Sequence, residues 1–403
     1  MPQISPDQSP PTLPYQAREA AGMCARCGAC QAVCPVYQAG RREVLSARGK
    51  LRLVDELARG VLAPDRRLAR LLTSCLLCGR CQANCPNLTP ATEGLRAVRA
   101  VLSDHLTPTK RLAVTQVLPR PRAMSAAAAA GRLALGSLPP DSGLRLRGLA
   151  GLEHLPLPAS RPFLARVPRV IPGPKGSPRL GLFAGCVGNH LRPELLARAV
   201  HILSRGFSLV IPPQQGCCGL PAVAAGLEDT ARTLARRNLA AFRAAGVERV
   251  VTTCGSCAHA LAHELPRLAG ETLPGGVVEI SQVLADHPKL IRGSRAHLSG
   301  PVALHHPCHL GVGLGVTEEP RAVLAAAGVE IAPMAGEELC CGGGGLFMLS
   351  HPELSRAVFA PRARAFQDSG ARTLATSCSG CYLQWRRGLG PETAVVHPLE
   401  LLA

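Results

Sequence analysis

Short apolar runs alternate with longer segments of helical period through the second half of the chain, and the alternation occurs twice. Residues 180–183, 207–211 and 249–253 are apolar runs of strand length. Between them lie 193–205, with Leu196, Val200 and Leu203 on one face, and 229–245, with Leu234, Leu239 and Phe242. The same order returns as 302–304, 319–327, 329–332, 353–368 and 372–376. Strand alternating with helix predicts a parallel, helix-covered sheet in each copy. Pro361 predicts a kink or break in the segment 353–368.

The first half reads differently. Residues 1–22 contain five prolines and no periodicity, which predicts an extended N-terminal arm. Residues 42–62 place Leu45, Leu51, Leu53, Val54 and Leu57 at roughly helical intervals, with Gly60 available as a cap. Leu95, Val98 and Leu102 give a second helix over 92–105. Residues 106–178 are rich in Pro, Gly, Ala and Arg. There 123–135 can be helical, but Pro139-Pro140 and the Pro-rich run 156–178 cannot continue a helix. The expected organisation is an arm (1–22), a helical module (23–105), a connector (106–178) and two repeats (179–300 and 301–403).

A chain of 403 residues with 47% hydrophobic residues is globular, although aromatics make up only 3%. The formal net charge of +18 is scattered along the chain. It lacks interleaved aromatics or a reader motif, so no nucleic-acid partner is expected. An acidic partner or peripheral contact with an anionic membrane surface suits it better. Residues 1–22 have no apolar core of a signal peptide, and no run reaches the roughly 18–20 apolar residues of a spanning helix. A cytoplasmic location is therefore expected, with room for peripheral contact at the inner face of the cell membrane. In that reducing setting 18 cysteines serve metals or redox chemistry.

Two cysteine runs carry that chemistry. Cys24, Cys27, Cys30 and Cys34 precede Pro35, and Cys75, Cys78, Cys81 and Cys85 precede Pro86. Both read C-x2-C-x2-C-x3-C-P, the bacterial ferredoxin pattern, in which the fourth cysteine serves the other cluster. One [4Fe-4S] cluster then takes Cys24, Cys27, Cys30 and Cys85, and the second takes Cys75, Cys78, Cys81 and Cys34. A zinc site needs only four ligands, and a disulfide framework needs an oxidising compartment. Both remain alternatives.

The two repeats add ten more cysteines. The first has Cys186, Cys217-Cys218-Gly219 and Cys254-x-x-Cys257. The second has Cys308, Cys340-Cys341-Gly342 and Cys378-x-x-Cys381. The copies are offset by 122, 123 and 124 residues. These cysteines fall near strand ends, where α/β folds place their ligands. They make each repeat a candidate for a further iron–sulfur or thiol redox centre. His190, His305, His306 and His309 flank them as candidate ligands or proton carriers, with ordinary structural hydrogen bonding as the alternative. Gly311, Gly313 and Gly315 form a GxGxG, read as a loop and not a dinucleotide site. No flavin or nicotinamide fingerprint appears, so no catalytic residue for hydride removal is assigned.

Taken with Ser46-Ala-Arg-Gly-Lys-Leu-Arg, Gly216-Cys-Cys-Gly and Leu339-Cys-Cys-Gly, these motifs resemble the iron–sulfur subunit of bacterial glycolate oxidase over nearly the whole chain. The CCG repeats alone are also similar to the CCG-bearing subunit of heterodisulfide reductase and to lactate-utilisation proteins. The Ala-Arg-Gly-Lys stretch favours this subunit over the related CCG-bearing subunit of anaerobic glycerol-3-phosphate dehydrogenase, which stays an alternative. The resemblance implies an N-terminal helical ferredoxin-like 2[4Fe-4S] module followed by two duplicated α/β CCG lobes. It implies an oxidoreductase complex in which an FAD subunit oxidises glycolate or D-lactate. This chain would pass the electrons to a membrane quinone or similar acceptor and would be inactive on substrate alone. Both repeats here keep all five cysteines, whereas the glycolate oxidase subunit does not always keep its first CxxC complete. That leaves room for a different 2-hydroxy-acid partner, or for a heterodisulfide-reductase-like activity at the CCG centres.

Overall fold

The structure is a computed structural model and describes residues 12–137, 155–292 and 300–402. The start of the expected arm, Pro139-Pro140 with the middle of the connector, and residues 293–299 lie outside the described residues. The chain divides into two units. One takes in Met1–Val114, Pro221–Glu228 and Cys340–Ala360; the other takes in Thr115–Leu220, Asp229–Leu339 and Pro361–Ala403.

The first unit is built from helices α1 (Tyr15–Met23), α2 (Ala47–Ala58), α3 (Arg66–Thr73) and α4 (Ala91–Val101), with shorter turns between them. Side chains start two of them: Ser46 Oγ accepts from the Gly49 amide, and Asp65 Oδ1 from that of Leu68. Gly60, in the left-handed region at φ 73°, turns the chain after α2. Leu13, Val54, Leu57, Leu72, Leu95 and Val98 form a buried core.

Residues 15–22, expected to be extended, are instead the body of α1. Ala17 and Ala20 are fully buried, so small side chains let this helix approach α4 closely. A Cβ added at Gly94 would lie 2.4 Å from Ala20 Cβ and 3.1 Å from the Gln16 carbonyl oxygen. Hydrophobic periodicity misses such a contact because alanine and glycine carry little of the signal. Gly94→Leu is expected to push α1 off and to destabilise the protein by about 2 kcal/mol. Denaturant unfolding and faster proteolysis within residues 12–23 check this.

The second unit holds two sheets. In the first, β1 (Val170–Ile171), β2 (Arg179–Phe183), β3 (Ser208–Val210), β4 (Arg249–Thr252) and β5 (Val277–Glu279) lie in the order β1-β3-β2-β4-β5. All pairs are parallel except β1 with β3. In the second, β6 (Val302–His305), β7 (Ile331–Ala332), β8 (Thr373–Thr376) and β9 (Ala394–Val396) lie parallel in the order β7-β6-β8-β9. The central strands are where the apolar runs predict them. The edge strands β1, β5 and β9 are too short and too exposed on one side to stand out in sequence.

Helices α5 (Pro193–Leu203), α6 (Glu228–Ala244) and α7 (Glu319–Ala326) match the helical-period segments. One core runs under both sheets and includes Leu182, Leu196, Val251, Leu304, Leu324 and Ala375. The helix Pro352–Asp368 continues through Pro361 and does not break there. A proline costs one helical hydrogen bond, and buried Val358, Phe359, Ala365 and Phe366 hold the turns on either side of it. In the connector, Pro121–Ser137 is helical, a slightly longer span than expected.

Candidate iron–sulfur centres

The first unit gathers its eight cysteines around two hollows. One is lined by Cys24, Cys27, Cys30, Cys81 and Cys85. The other is lined by Cys34, Cys75, Cys78 and Cys81. Each hollow therefore takes its fourth cysteine from the other run, and Cys81 borders both. The short helices Ala29–Val33 and Arg80–Ala83 each begin after a glycine with positive φ, Gly28 at 91° and Gly79 at 76°. That conformation wraps the three closely spaced cysteines of each run around a single point.

Burial and mutual crowding govern the protonation of most of these thiols. Burial pushes Cys30 and Cys34 upward. Burial, then the neighbouring charge of Cys340, raises Cys78, and burial with Cys75 raises Cys81. Crowded, poorly solvated sulfurs resist ionising together unless positive charge sits among them. At Cys85 burial also acts upward, but hydrogen bonds from the Thr89 hydroxyl and the amides of residues 87–89 outweigh it and hold the thiol low. Soft, inward-facing sulfurs around two small hollows suit iron–sulfur clusters.

Two buried cations flank the second hollow, and neither was foreseen from sequence. Lys50, 1% exposed, donates from Nζ to the Leu45 carbonyl at 2.5 Å. Burial lowers its pKa, and the fields of Cys75, Cys34 and Cys81 oppose that. Arg99 is likewise buried and donates to the carbonyls of Leu72, Cys75 and Ala224. Lys50 lies on a helix whose apolar face is clear in sequence. Only its burial at 1% marks it out, because a lysine at such a position is ordinarily solvated.

In the second unit the sulfurs of the first repeat form a continuous hydrogen-bonded series. Cys186 meets Cys217, Cys217 meets Cys218, Cys218 meets Cys257, and Cys257 meets Cys254. Cys254 then meets Cys378 of the second repeat, which meets Cys381. Hydrogen bonds from Cys217 and Cys257 lower Cys218, while the same contacts raise Cys217 and Cys257. The fold sets this up directly. In the parallel sheet β2, β3 and β4 end on one edge, and Cys186, Cys217 and Cys254 follow them there.

Two buried amides clamp the CCG turn. Gln215 accepts from the Ala184 amide at 2.7 Å and donates to the Leu182 carbonyl at 3.0 Å. Asn238 accepts from the Gly216 amide and donates to the Cys217 carbonyl, both at 2.9 Å. Gly185, at φ 65°, lets the backbone pass the Cys257 sulfur, which a Cβ would approach to 3.2 Å.

The two CxxC loops interlock. The Gly255 amide donates to the Ser377 carbonyl at 2.8 Å, and the Ser379 amide to Cys254 Sγ at 3.3 Å. Ser256 Oγ lies 3.1 Å from Cys378 Sγ and 3.0 Å from His309 Nδ1. His309 stacks on His259 with centroids 4.7 Å apart, and His259 continues to His263.

The GxGxG stretch is not a loop. It forms the helix Cys308–Leu314 with Gly315 as its left-handed cap. A side chain at Gly313 would strike the His259 ring, which explains the small residue there.

The flanking histidines differ in their surroundings. His305 is buried, and its Nδ1–H donates to the Glu337 carbonyl at 3.1 Å. That leaves Nε2 with its lone pair, and a ring nitrogen of His305 lies within 4.8 Å of Cys381 Sγ. His306 faces Glu337, and burial lowers its pKa. His190 is also lowered by burial and packs beside Asn189 in a structural role. Cys308 heads its helix, while Cys340 and Cys341 are buried in the first unit.

Comparison with known proteins identifies the domains that carry these cysteines. Residues 20–88 match the 4Fe-4S dicluster domain, and residues 180–262 and 302–386 each match the Cysteine-rich domain. The chain is thus an iron–sulfur protein that joins one dicluster domain to two cysteine-rich domains. More particularly, it resembles iron–sulfur subunits of glycolate oxidase. It is 29% identical to the probable glycolate oxidase iron–sulfur subunit of Bacillus subtilis over 94% of this chain and 92% of that protein. To the Escherichia coli glycolate oxidase iron–sulfur subunit it is 26% identical, with the same coverage. It is also 30% identical to one subunit of the dihydromethanophenazine:CoB–CoM heterodisulfide reductase of Methanosarcina barkeri, over 55% of this chain and 57% of that protein. Among the described residues no helix is long and apolar enough to cross a membrane.

Proposed function

We propose that this chain is the electron-transfer subunit of a flavin-linked 2-hydroxy-acid dehydrogenase complex acting on glycolate or D-lactate. An FAD-containing subunit supplies the electrons, and a membrane quinone or similar acceptor receives them. Peripheral attachment to the inner face of the cell membrane accompanies this role. Cys24, Cys27, Cys30 and Cys85 hold one [4Fe-4S] cluster, and Cys34, Cys75, Cys78 and Cys81 hold the second. Cys186, Cys217, Cys218, Cys254 and Cys257 hold a further iron–sulfur centre. By the repetition in sequence, Cys308, Cys378 and Cys381 of the second unit, and separately Cys340 and Cys341, are candidates for similar iron–sulfur ligation.

Such clusters supply one-electron carriers. The chain's own contribution is to bury them, hold them close and set their charge environment. The observation that carries the reading is Cys81 standing between two hollows, which favours electron exchange between neighbouring centres.

Anaerobically purified protein is expected to contain iron and acid-labile sulfide and to give EPR signals on reduction, without oxidising glycolate. Addition of the FAD subunit should produce dye reduction. Glycolate oxidation by the chain alone, or zinc in place of iron, would sink the proposal. A second reading, a heterodisulfide-reductase-like enzyme at the CCG centres, is favoured by the sulfur series from Cys186 to Cys381 beside the histidine stack. Release of thiols from a small disulfide by the reduced, isolated chain would select it. The corresponding role in anaerobic glycerol-3-phosphate dehydrogenase would show as dye reduction with that enzyme's flavin subunit.

A further inference from the structure

The first unit contains a cleft of about 640 Å³ that no cysteine lines. Its walls come from α3, from residues 105–114, and from residues 346–351. Ala69, Leu106, Val114 and Leu346 supply apolar surface, and Leu349 stands 61% exposed at its edge. Among the described residues none of the lining side chains is acidic, whereas Arg66, Arg70, His105 and Lys110 all border it.

Two polar pairs face this apolar space. Thr73 Oγ1 donates to the Ala69 carbonyl at 2.7 Å, which leaves it free to accept from His351 Nε2–H at 3.2 Å. Burial, with the nearby charges of Lys110 and Arg70, brings the His351 pKa down to about 4, so the ring is neutral. Lys110 Nζ donates to Ser350 Oγ at 2.9 Å, and an ammonium keeps two further N–H groups for another acceptor. The cleft also adjoins the second hollow. Thr73 precedes Cys75 by two residues, at most about 7 Å of chain, and the carbonyls of Leu72 and Cys75 share one guanidinium donor, that of Arg99.

We infer that this cleft binds the headgroup of a quinone and is the place where electrons leave the chain. The inference rests on the electron-transfer reading above and gives its acceptor a site. A quinone is a flat apolar ring with two carbonyl oxygens, so it needs apolar walls and hydrogen-bond donors, as found here. A free anion would use the arginines but gain nothing from Leu106, Val114 and Leu346. Exposed Leu349 and the cleft-lining Arg66 and Arg70 give the mouth an apolar, basic character suited to an anionic bilayer, the source of a lipid-soluble acceptor. In the reaction the quinone takes two electrons, one at a time, from the reduced second centre. It takes two protons from water at the open mouth by way of Lys110, and leaves as the hydroquinone.

The test uses the full chain, iron-loaded under anaerobic conditions, and a short-tailed ubiquinone analogue carrying a photoreactive azido group. Saturable labelling should map to residues 105–114 or 346–351. Leu349→Arg should reduce it at least about tenfold while the EPR signals of the reduced centres persist. Label mapping elsewhere, labelling that does not saturate, or labelling undiminished in Leu349→Arg would each overturn the assignment. So would displacement of the analogue by millimolar inorganic phosphate, which would mark an anion site. Dye reduction with the FAD subunit separates the two ideas. If it occurs while no label enters the cleft, the acceptor site fails and the electron-transfer reading stands.

Discussion

Cys34→Ala and Cys78→Ala are expected to give the same EPR spectrum, although Cys34 belongs to the first cysteine run and Cys78 to the second. Both line the same hollow, with Cys75 and Cys81. Each variant should lose roughly four irons and the signal of one cluster. Cys27→Ala and Cys85→Ala should form a second matching pair, because both line the other hollow. Grouping by sequence run, with Cys34→Ala matching Cys27→Ala, would refute the crossed assignment. The effect is large because a cubane left with three thiolates and one alanine beside it has an open iron facing a partly buried cavity. Electron transfer through the chain should fall to background in all four variants.

The second expected result concerns Lys50. Its ammonium is almost wholly buried and lies in the field of Cys75, Cys34 and Cys81. A reduced cluster carries one more negative charge than an oxidised one, so a nearby cation favours reduction. At an effective dielectric of about 20, one unit charge at close range contributes on the order of a few kcal/mol. For a one-electron couple that is on the order of 100 mV. Lys50→Met should therefore lower the potential of the second cluster by on the order of 100 mV and leave the first nearly unchanged. An EPR-monitored redox titration decides it. No shift, or equal shifts in both clusters, would show that the lysine serves packing and not potential. The shift should also slow electron flow from the first centre by making the second a poorer acceptor.

Much of the molecule is legible in the chain. The period of the apolar positions locates β2, β4, β6 and β8 and helices α5 to α7. It does so because each buries a largely apolar stripe at the period of its own secondary structure. The candidate ligand cysteines are legible for a different reason: iron–sulfur chemistry demands sulfur at short intervals and a glycine where the backbone must turn. What escapes a linear reading is anything decided by a small residue or by burial of a polar one. Helix α1 rests on Ala17, Ala20 and Gly94, which carry almost no hydrophobic signal. Gln215 and Asn238 look like surface amides until both are found buried against the CCG turn.

Sequence alone determined the candidate donor set, the duplication and the alternation of strand with helix, because these depend on residue type and spacing along one dimension. Tertiary structure alone decided that Cys81 borders both hollows and that Lys50 and Arg99 stand beside the second. It also decided that Cys254 and Cys378, 124 residues apart, meet sulfur to sulfur within one unit. Such proximities arise from how helices and parallel strands pack, and the electrostatic field at a cluster follows from distances through space, which the order of residues does not contain.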